Sequence, residues 1–384
     1  MKIVVAPDSF KGSLTSLQAA NAIEKGIQRA AARFHKSVEI IKIPMADGGE
    51  GTVEAIITAT EGRIIDTPVL DPLGRKVESF FGILPDNTGV IEMAAASGLN
   101  LIKSEEKNPL KTTTFGTGQL IKAALDYGCA KIIMGIGGSA TNDGGVGMAQ
   151  ALGVQFLDQN GHEIGFGGGA LADICKIDIS GLDPRLKQLP ITVACDVKNL
   201  LCGSEGASAV YGPQKGADPA MVKILDKNLH HLAEIIKTDL GIDVANIPGS
   251  GAAGGVGAGL IAFLKAAIEP GVKLIPKIVK FEERIKNAAF IITGEGATDY
   301  QTMFGKVPFG IAAIAEKYGK PVICVSGSLG NGYEKLYEKG ITALFSIVNR
   351  PMPLKDAIIN GADLLEKVAE NIFNTIFITR SQCE

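Results

Sequence analysis

Tryptophan is absent from this sequence, and phenylalanine and tyrosine together make up only 5% of it. Proteins that stack bases on aromatic platforms need more than this, so single-stranded nucleic acid is excluded as the main partner. Positive charge is not in excess either. Against 41 aspartates and glutamates stand 38 lysines and arginines, a formal net charge of -3, which leaves no basic footprint for a phosphate backbone. Histidine is scarce, at His35, His162, His230 and His231, and never at metalloprotease spacing. His230 and His231 read as a surface pair on a helical stretch, and histidine-driven catalysis is disfavoured. The cysteines (Cys129, Cys175, Cys195, Cys202, Cys324 and Cys383) form no C-x-x-C pair, so zinc and thioredoxin-type chemistry lack support and buried free thiols are expected. No apolar run is long enough to span a bilayer, and the opening run in "MKIVVAPDSF" stops at Pro7 and Asp8, short of a signal-peptide core. A cytoplasmic location is expected, with no membrane partner.

What the sequence has is length, glycine and a repeated local pattern. At 384 residues it exceeds the size at which one core usually stops growing, so two domains are expected. "KIVVA" is a β-rich apolar run, and Leu17, Ala20, Ile23, Ile27, Ala30 and Phe34 follow it at helical spacing. Thr15 and Gln18 fit a capping box at the start of that helix. "VEIIKI", "PMADGGEG" and "TVEAIITAT" repeat strand, loop and helix. The C-terminal third does so again: "AAFIITGEG" and "PVICVSG" read as strands, "PFGIAAIAEKYG" as a helix, "ALFSIV" as a further strand, and "LKDAIINGADLLEKVAENIFNTIF" as one long closing helix. This alternation predicts a doubly wound, mainly parallel sheet covered by helices on both faces, assembled from residues 1–65 and 276–384. Residues 66–275 show mixed short strands and glycine clusters, and read as an inserted α/β domain. The ligand cleft is expected between the two domains.

In open parallel sheets ligands bind beyond the carboxyl ends of strands, so polar residues directly after a strand carry weight. Three loops qualify. "PDSFKGS" offers Asp8, Ser9, Lys11 and Ser13; "MADGGEGT" offers Asp47 and Glu50 among Gly48 and Gly49; "TGEGATDYQTMFGK" offers Glu295, Asp299, Gln301, Thr302 and Lys306. In the middle region "GIGGSATNDGG" (135–145) sits between an apparent strand and the helix "GVGMAQALG", an arrangement that aims backbone N–H groups and a positive helix end at an anion such as phosphate. Asp196 lies just past the strand in "TVACDVKNLL", and Lys215 in the turn "YGPQKGA". Phosphoryl transfer needs an acidic magnesium ligand and a phosphate-binding lysine, although taken alone Asp196 reads as a cap and Lys215 as a surface lysine. "GSGAAG" (249–254) matches G-x-G-x-x-G without a clear strand before it, so close helix packing explains it better than a dinucleotide site. No P-loop pattern is present.

"APDSFKGSL", "MADGGEGT", "GIGGSATNDGG", "ACDVKN", "PQKGA", "GSGAAGG" and "GEG" with "DYQTMFGK", in this order across nearly the whole chain, resemble the type I bacterial glycerate kinases. The resemblance implies ATP-dependent, magnesium-assisted phosphorylation of D-glycerate to a phosphoglycerate, on a two-domain α/β fold whose first domain, built from both chain ends, is Rossmann- or flavodoxin-like. The 2-phosphate is the favoured product, and the sequence leaves both the 2- and the 3-hydroxyl open as acceptor. On that basis Gly137, Gly138, Ser139, Thr141, Asn142 and Asp143, with Glu295 and Lys306, are expected to bind the nucleotide. Asp8, Ser9, Lys11, Gly48, Gly49 and Glu50 are expected to bind glycerate. Asp47, Asp196, Lys215 and Asp299 are expected to be catalytic, with Asp196 or Asp299 holding magnesium. Two positions depart from the family pattern: Ala297 stands where arginine is usual and Leu200 where proline is common. Alanine offers none of an arginine's forked donors. The competing readings are a sugar-acid binding protein without chemistry and a dinucleotide oxidoreductase resting on "GSGAAG".

Overall fold

The computed structural model describes residues 1–381, and the chain folds into two compact units. The first comprises Met1–Asp47, Glu54–Glu61 and the residues from Val272 onward; the second comprises Gly48–Val53 and Gly62–Gly271.

In the first unit five strands pair in parallel in the order Glu39–Lys42, Lys2–Val5, Phe290–Thr293, Val322–Ser326, Ile341–Ser346. Numbered along the chain within this sheet, that order is 2-1-3-4-5, the flavodoxin-like winding. The order reverses between Lys2–Val5 and Phe290–Thr293, whose registers pair Val4 with Ile291 and Val5 with Ile292. The ladder continues beyond the strands, since Ala6 N–H donates to Ile292 O at 2.7 Å and Asp8 N–H to Gly294 O at 2.8 Å. Asp8 and Glu295 are thereby delivered side by side at the carboxyl ends.

The helix Ser16–Arg33 begins at the expected capping box: Gln18 N–H donates to Thr15 Oγ1 at 3.2 Å and Thr15 N–H to Gln18 Oε1 at 2.9 Å. Its apolar stripe of Ala19, Ala20, Ile23, Ile27 and Ala30 is buried in one core with Leu365, Phe373 and Phe377 of the closing helix. Each such isoleucine contributes about 1.5–3 kcal/mol by leaving water. The closing helix departs from expectation. It is broken into Leu354–Ile359 and Gly361–Ser381, because Asn360 turns its own amide back onto Asp356 O at 2.8 Å and is followed by glycine.

The second unit holds a six-stranded sheet ordered Ala267–Glu269, Ile191–Ala194, Lys131–Gly135, Thr88–Glu92, Lys76–Ile83, Arg63–Leu70. Its first four strands are parallel and the last two form an antiparallel meander with them. Helices Phe115–Tyr127, Pro219–Leu240 and Ala252–Leu264 enclose its core. "GSGAAG" serves helix packing with an added twist: Ala253, Gly254 and Gly255 all adopt left-handed φ, and a Cβ on Gly254 would lie 2.8 Å from Asn142 Cα.

Two smaller expectations change. His230 is exposed and His231 half-buried, and the Nε2 of His231 lies 2.7 Å from Ile174 O. Of the thiols, Cys129, Cys195 and Cys324 are free and buried, Cys202 is free and half-buried, Cys175 is free and exposed, and Cys383 lies outside the described residues. Among the described residues no helix is long and apolar enough to cross a membrane.

Candidate active site

In the first unit a cavity of about 650 Å³ opens at the point where the strand order reverses. One side is charged, lined by Asp8, Lys11, Asp47, Glu295 and Lys306, with Ser9 among them. Asp8 is 8% exposed, and its Oδ1 accepts the N–H of Ser9 at 2.7 Å. Burial first, then the neighbouring Asp47 and, more weakly, Glu295, push its carboxyl up to about 8. A second negative charge in a desolvated crevice is costly, and a proton or an incoming cation relieves it.

Glu295 is held in place by its own loop. Its Oε1 accepts the hydroxyls of Thr298 at 2.9 Å and Thr302 at 2.6 Å, and its Oε2 lies 3.2 Å from Lys306 Nζ. Thr298 in turn shares a hydrogen bond with Ser326 Oγ at 2.7 Å. The "TGEGATDYQT" stretch is therefore a scaffold around one carboxylate. Asp299 belongs to that scaffold, since its Oδ1 accepts Gln301 N–H at 2.7 Å and caps the turn Tyr300–Phe304. Lys306 also donates to Ala297 O at 3.2 Å, so a cation stands beside the position where the family pattern has arginine. Lys11 is 3.8 Å from Asp47 Oδ2 and is itself 83% exposed, a pairing worth little in free energy but mobile enough to meet a ligand.

The second unit gathers the glycine-rich residues. Gly137 N–H donates to Gly48 O at 3.0 Å, and a Cβ on Gly137 would come within 2.7 Å of Gly49 Cα, so the glycines here allow two loops to touch. Asn100 Nδ2 reaches Glu50 Oε1 at 3.4 Å. Behind the Gly48–Thr52 loop sits Glu92, which sequence reasoning missed. It is 3% exposed, its carboxyl is raised to about 7 by burial, and the N–H groups of Val53, Gly51 and Thr52 all draw it back down. The only sequence signal was a lone acid ending an apolar strand, "TGVIE".

The loop 135–145 does not present a free helix end. The following helix is only six residues, Val146–Ala151, and its first N–H groups are already answered by Asp143. The Asp143 carboxylate accepts Gly145 N–H at 3.2 Å, Gly147 N–H at 3.3 Å, and both the N–H and the hydroxyl of Thr114 at 2.8 Å. The anion at that helix end is the chain's own, a correction to the expected arrangement. Asn142 is fully buried and donates to Ser208 Oγ at 2.9 Å. Thr141 is fully buried as well, and the hydroxyl of Thr141 and the amide oxygen of Asn142 lack hydrogen-bond partners.

Lys215, read from sequence as a surface lysine when taken alone, is 1% exposed. Its ammonium donates to Ser139 Oγ at 2.8 Å and to Thr141 O at 2.6 Å. Burial pulls its pKa down to about 7, with Asp143 as the opposing charge. Asp196 follows the strand Ile191–Ala194 and is half-buried. Glu295 and Lys306, expected to bind the nucleotide, line the first unit's cavity beside Asp8 and Lys11. Among the described residues no group of three or more His, Cys, Asp or Glu has the arrangement to hold a metal ion.

A family model described as the glycerate kinase family matches residues 3–377. A glycerate kinase of Halalkalibacterium halodurans is 55% identical, covering 96% of this chain and 97% of that protein. A protein of Escherichia coli strain K12 named glycerate 2-kinase is 50% identical, covering 98% of each. Among solved structures, one described as a glycerate kinase 2 from Salmonella typhimurium LT2 superposes with a TM-score of 0.87 at 47% identity, covering 99% of both chains.

Proposed function

The chain belongs to the glycerate kinase family, and from that premise we propose that it transfers the γ-phosphoryl group of ATP to D-glycerate, giving 2-phosphoglycerate and ADP, in the cytoplasm. The observation that carries the assignment to this chain's own residues is the buried Asp8 carboxyl, raised to about 8 beside Asp47 and Glu295 at the point where the strand order reverses. As a carboxylate, Asp8 accepts the proton of the 2-hydroxyl while that oxygen bonds to the γ-phosphorus. The bond from phosphorus to the bridging oxygen breaks, and ADP leaves. A carboxyl with an elevated pKa is a stronger base than an ordinary aspartate once ionised. Lys11, exposed at the rim, pairs with the glycerate carboxylate, and Lys306, fixed against Glu295, offsets negative charge on the transferring phosphoryl group. Gly48, Gly49 and Glu50 shape the glycerate side of the loop that Glu92 anchors.

In the second unit, Lys215 with Ser139 and the open backbone of Gly137 and Gly138 forms the candidate cradle for phosphate oxygens. A nearly neutralised buried lysine regains its charge when an anion arrives. Thr141, Asn142 and Asp143 hold that cradle's shape through their internal bonds.

Magnesium fits the donor set: it takes one or two carboxylates together with substrate phosphates and keeps its waters, and the excess negative charge around Asp8 suits a divalent cation. Asp47 and Glu295 in the first unit, or Asp196 in the second, would hold it; Asp299 is committed to its turn. Bound there, the ion supplies charge neutralisation for the phosphates.

The test is ADP release from Mg-ATP with and without D-glycerate, followed by phosphorus NMR of the product. Glycerate-dependent release with the new phosphate on carbon 2 supports the reading; release independent of glycerate, or none, sinks it.

A further inference from the structure

Resting on that reading, we propose that the apolar half of the first unit's cavity seats the nucleoside end of the phosphate donor. Glycerate carries an oxygen on every carbon and has no apolar face to bury. The cavity, at about 650 Å³, is of the size that roughly 300–1,000 Å³ pockets offer to drug-sized ligands, far more than a three-carbon acid needs. The same cavity is also lined by Phe10, Ile347, Val348, Met352, Leu354 and Ile358.

Packing does not account for this wall. Phe10 and Ile347 are buried and form its base, whereas Leu354 is 75% exposed, Val348 37% and Ile358 36%. Leu354 and Ile358 are four residues apart on the helix Leu354–Ile359, so they share one face, and that helix buries none of its residues. An apolar face left open beside a charged one is the usual composition of a small-molecule site.

The wall is also fixed relative to the chemistry. The Ser13 hydroxyl donates to Ile358 O at 2.6 Å, and Ser13 lies in the same loop as Asp8 and Lys11. That loop is closed on itself by Phe10 N–H to Leu14 O at 2.9 Å. The short helix therefore cannot drift from the charged wall without breaking this tie. A planar heteroaromatic base lying on Phe10 and the aliphatic side chains, with its phosphates running toward Lys306, uses both halves of one cavity. The site lies where open parallel sheets place such ligands.

The experiment is calorimetric titration of ADP into the wild-type protein and into Leu354→Asp, Ile358→Asp and, as a control elsewhere on the surface, Ile224→Asp. All three positions are exposed, and thermal melts establish that the variants stay folded. The expected result is ADP binding weakened about tenfold or more in Leu354→Asp and Ile358→Asp, the scale of a lost apolar pocket contact, and unchanged in the control. Adenosine should displace ADP from the wild type, and binding of inorganic tripolyphosphate should change less than about twofold in the variants, since that probe lacks the group the wall receives. In turnover, KM for ATP should rise while KM for glycerate holds. Unaltered ADP binding in both variants overturns the proposal. So does equal weakening of tripolyphosphate, or a change of oligomeric state with ADP affinity intact, which would make the wall a contact between copies. If the wild type shows no glycerate-dependent turnover, the functional reading fails while the ADP titration still decides this one.

Discussion

Two loops follow central parallel strands in the two units, and both carry aspartate, serine and lysine partners, yet they use them in opposite directions. After Lys2–Val5, Asp8 faces a cavity with Asp47 and Glu295 nearby, and burial together with those charges raises its carboxyl to about 8. After Lys131–Gly135, Asp143 faces inward and is saturated by four donors from Thr114, Gly145 and Gly147. A polar residue at a strand's end is thus either a reagent or a fastener. What separates the two is whether backbone N–H groups within reach have already claimed it. Lys306 and Lys215 differ in burial instead: one is a part-exposed cation on an acidic rim, the other a buried ammonium held by Ser139 and Thr141.

The contrast is broken most sharply at Asp8. In Asp8→Asn, kcat should fall by about 10²–10⁴, the range of a lost general base, while the melting temperature holds or rises because a repelled carboxyl is gone. If stability collapses instead, Asp8 is a fastener. In the wild type, kcat/KM for glycerate should climb with pH to a plateau above about 8, as Asp8 loses its proton.

At the next scale, Asp143→Ala should cost about 2–4 kcal/mol of stability, read in urea melts, because four buried donors lose their acceptor. A variant of unchanged stability but lower turnover would make Asp143 a reagent.

The two buried groups also predict opposite pH slopes of stability. Asp8, raised from 3.8 to about 8, binds more protons folded than unfolded across that interval, so its contribution is full below 3.8 and is lost as pH rises through 8. Lys215, lowered from 10.5 to about 7, binds fewer protons folded, so stability recovers from pH 7 toward 10.5. Denaturant titrations of Asp8→Asn and Lys215→Met should each flatten one slope and leave the other.

The smallest effect belongs to Lys11→Ala, whose exposed pairing with Asp47 is worth about 0–1 kcal/mol. Stability should hold while KM for glycerate rises and loses part of its salt dependence.

Much of this was legible in the residues. Periodicity and the Thr15/Gln18 box located the first helix, and the rule about strand ends found Asp8, Asp47 and Glu295 from the residue pattern alone. The misses share a cause, which is that partners distant in sequence decide a side chain's role. Lys215 looked like a surface lysine because Ser139, which it meets, lies 76 positions away. Thr298 and Thr302 were visible as polar residues, but their service to Glu295 depends on a turn that Asp299 caps. The middle region hid part of its four-stranded parallel core because a strand as short as Ala267–Glu269 carries too few residues for a period.

The pairing of Lys2–Val5 with Phe290–Thr293 has a consequence for biosynthesis. Lys2–Val5 is a central strand, and its neighbour Phe290–Thr293 is made long after it. Until then that edge stays open to wrong partners, and closing so long a loop is slow. Asp8 and Glu295 come together only once both strands are made, so a chain truncated before Glu295 cannot assemble the acidic crevice, and a chaperone that shields the exposed edge would act on the segment around Lys2–Val5.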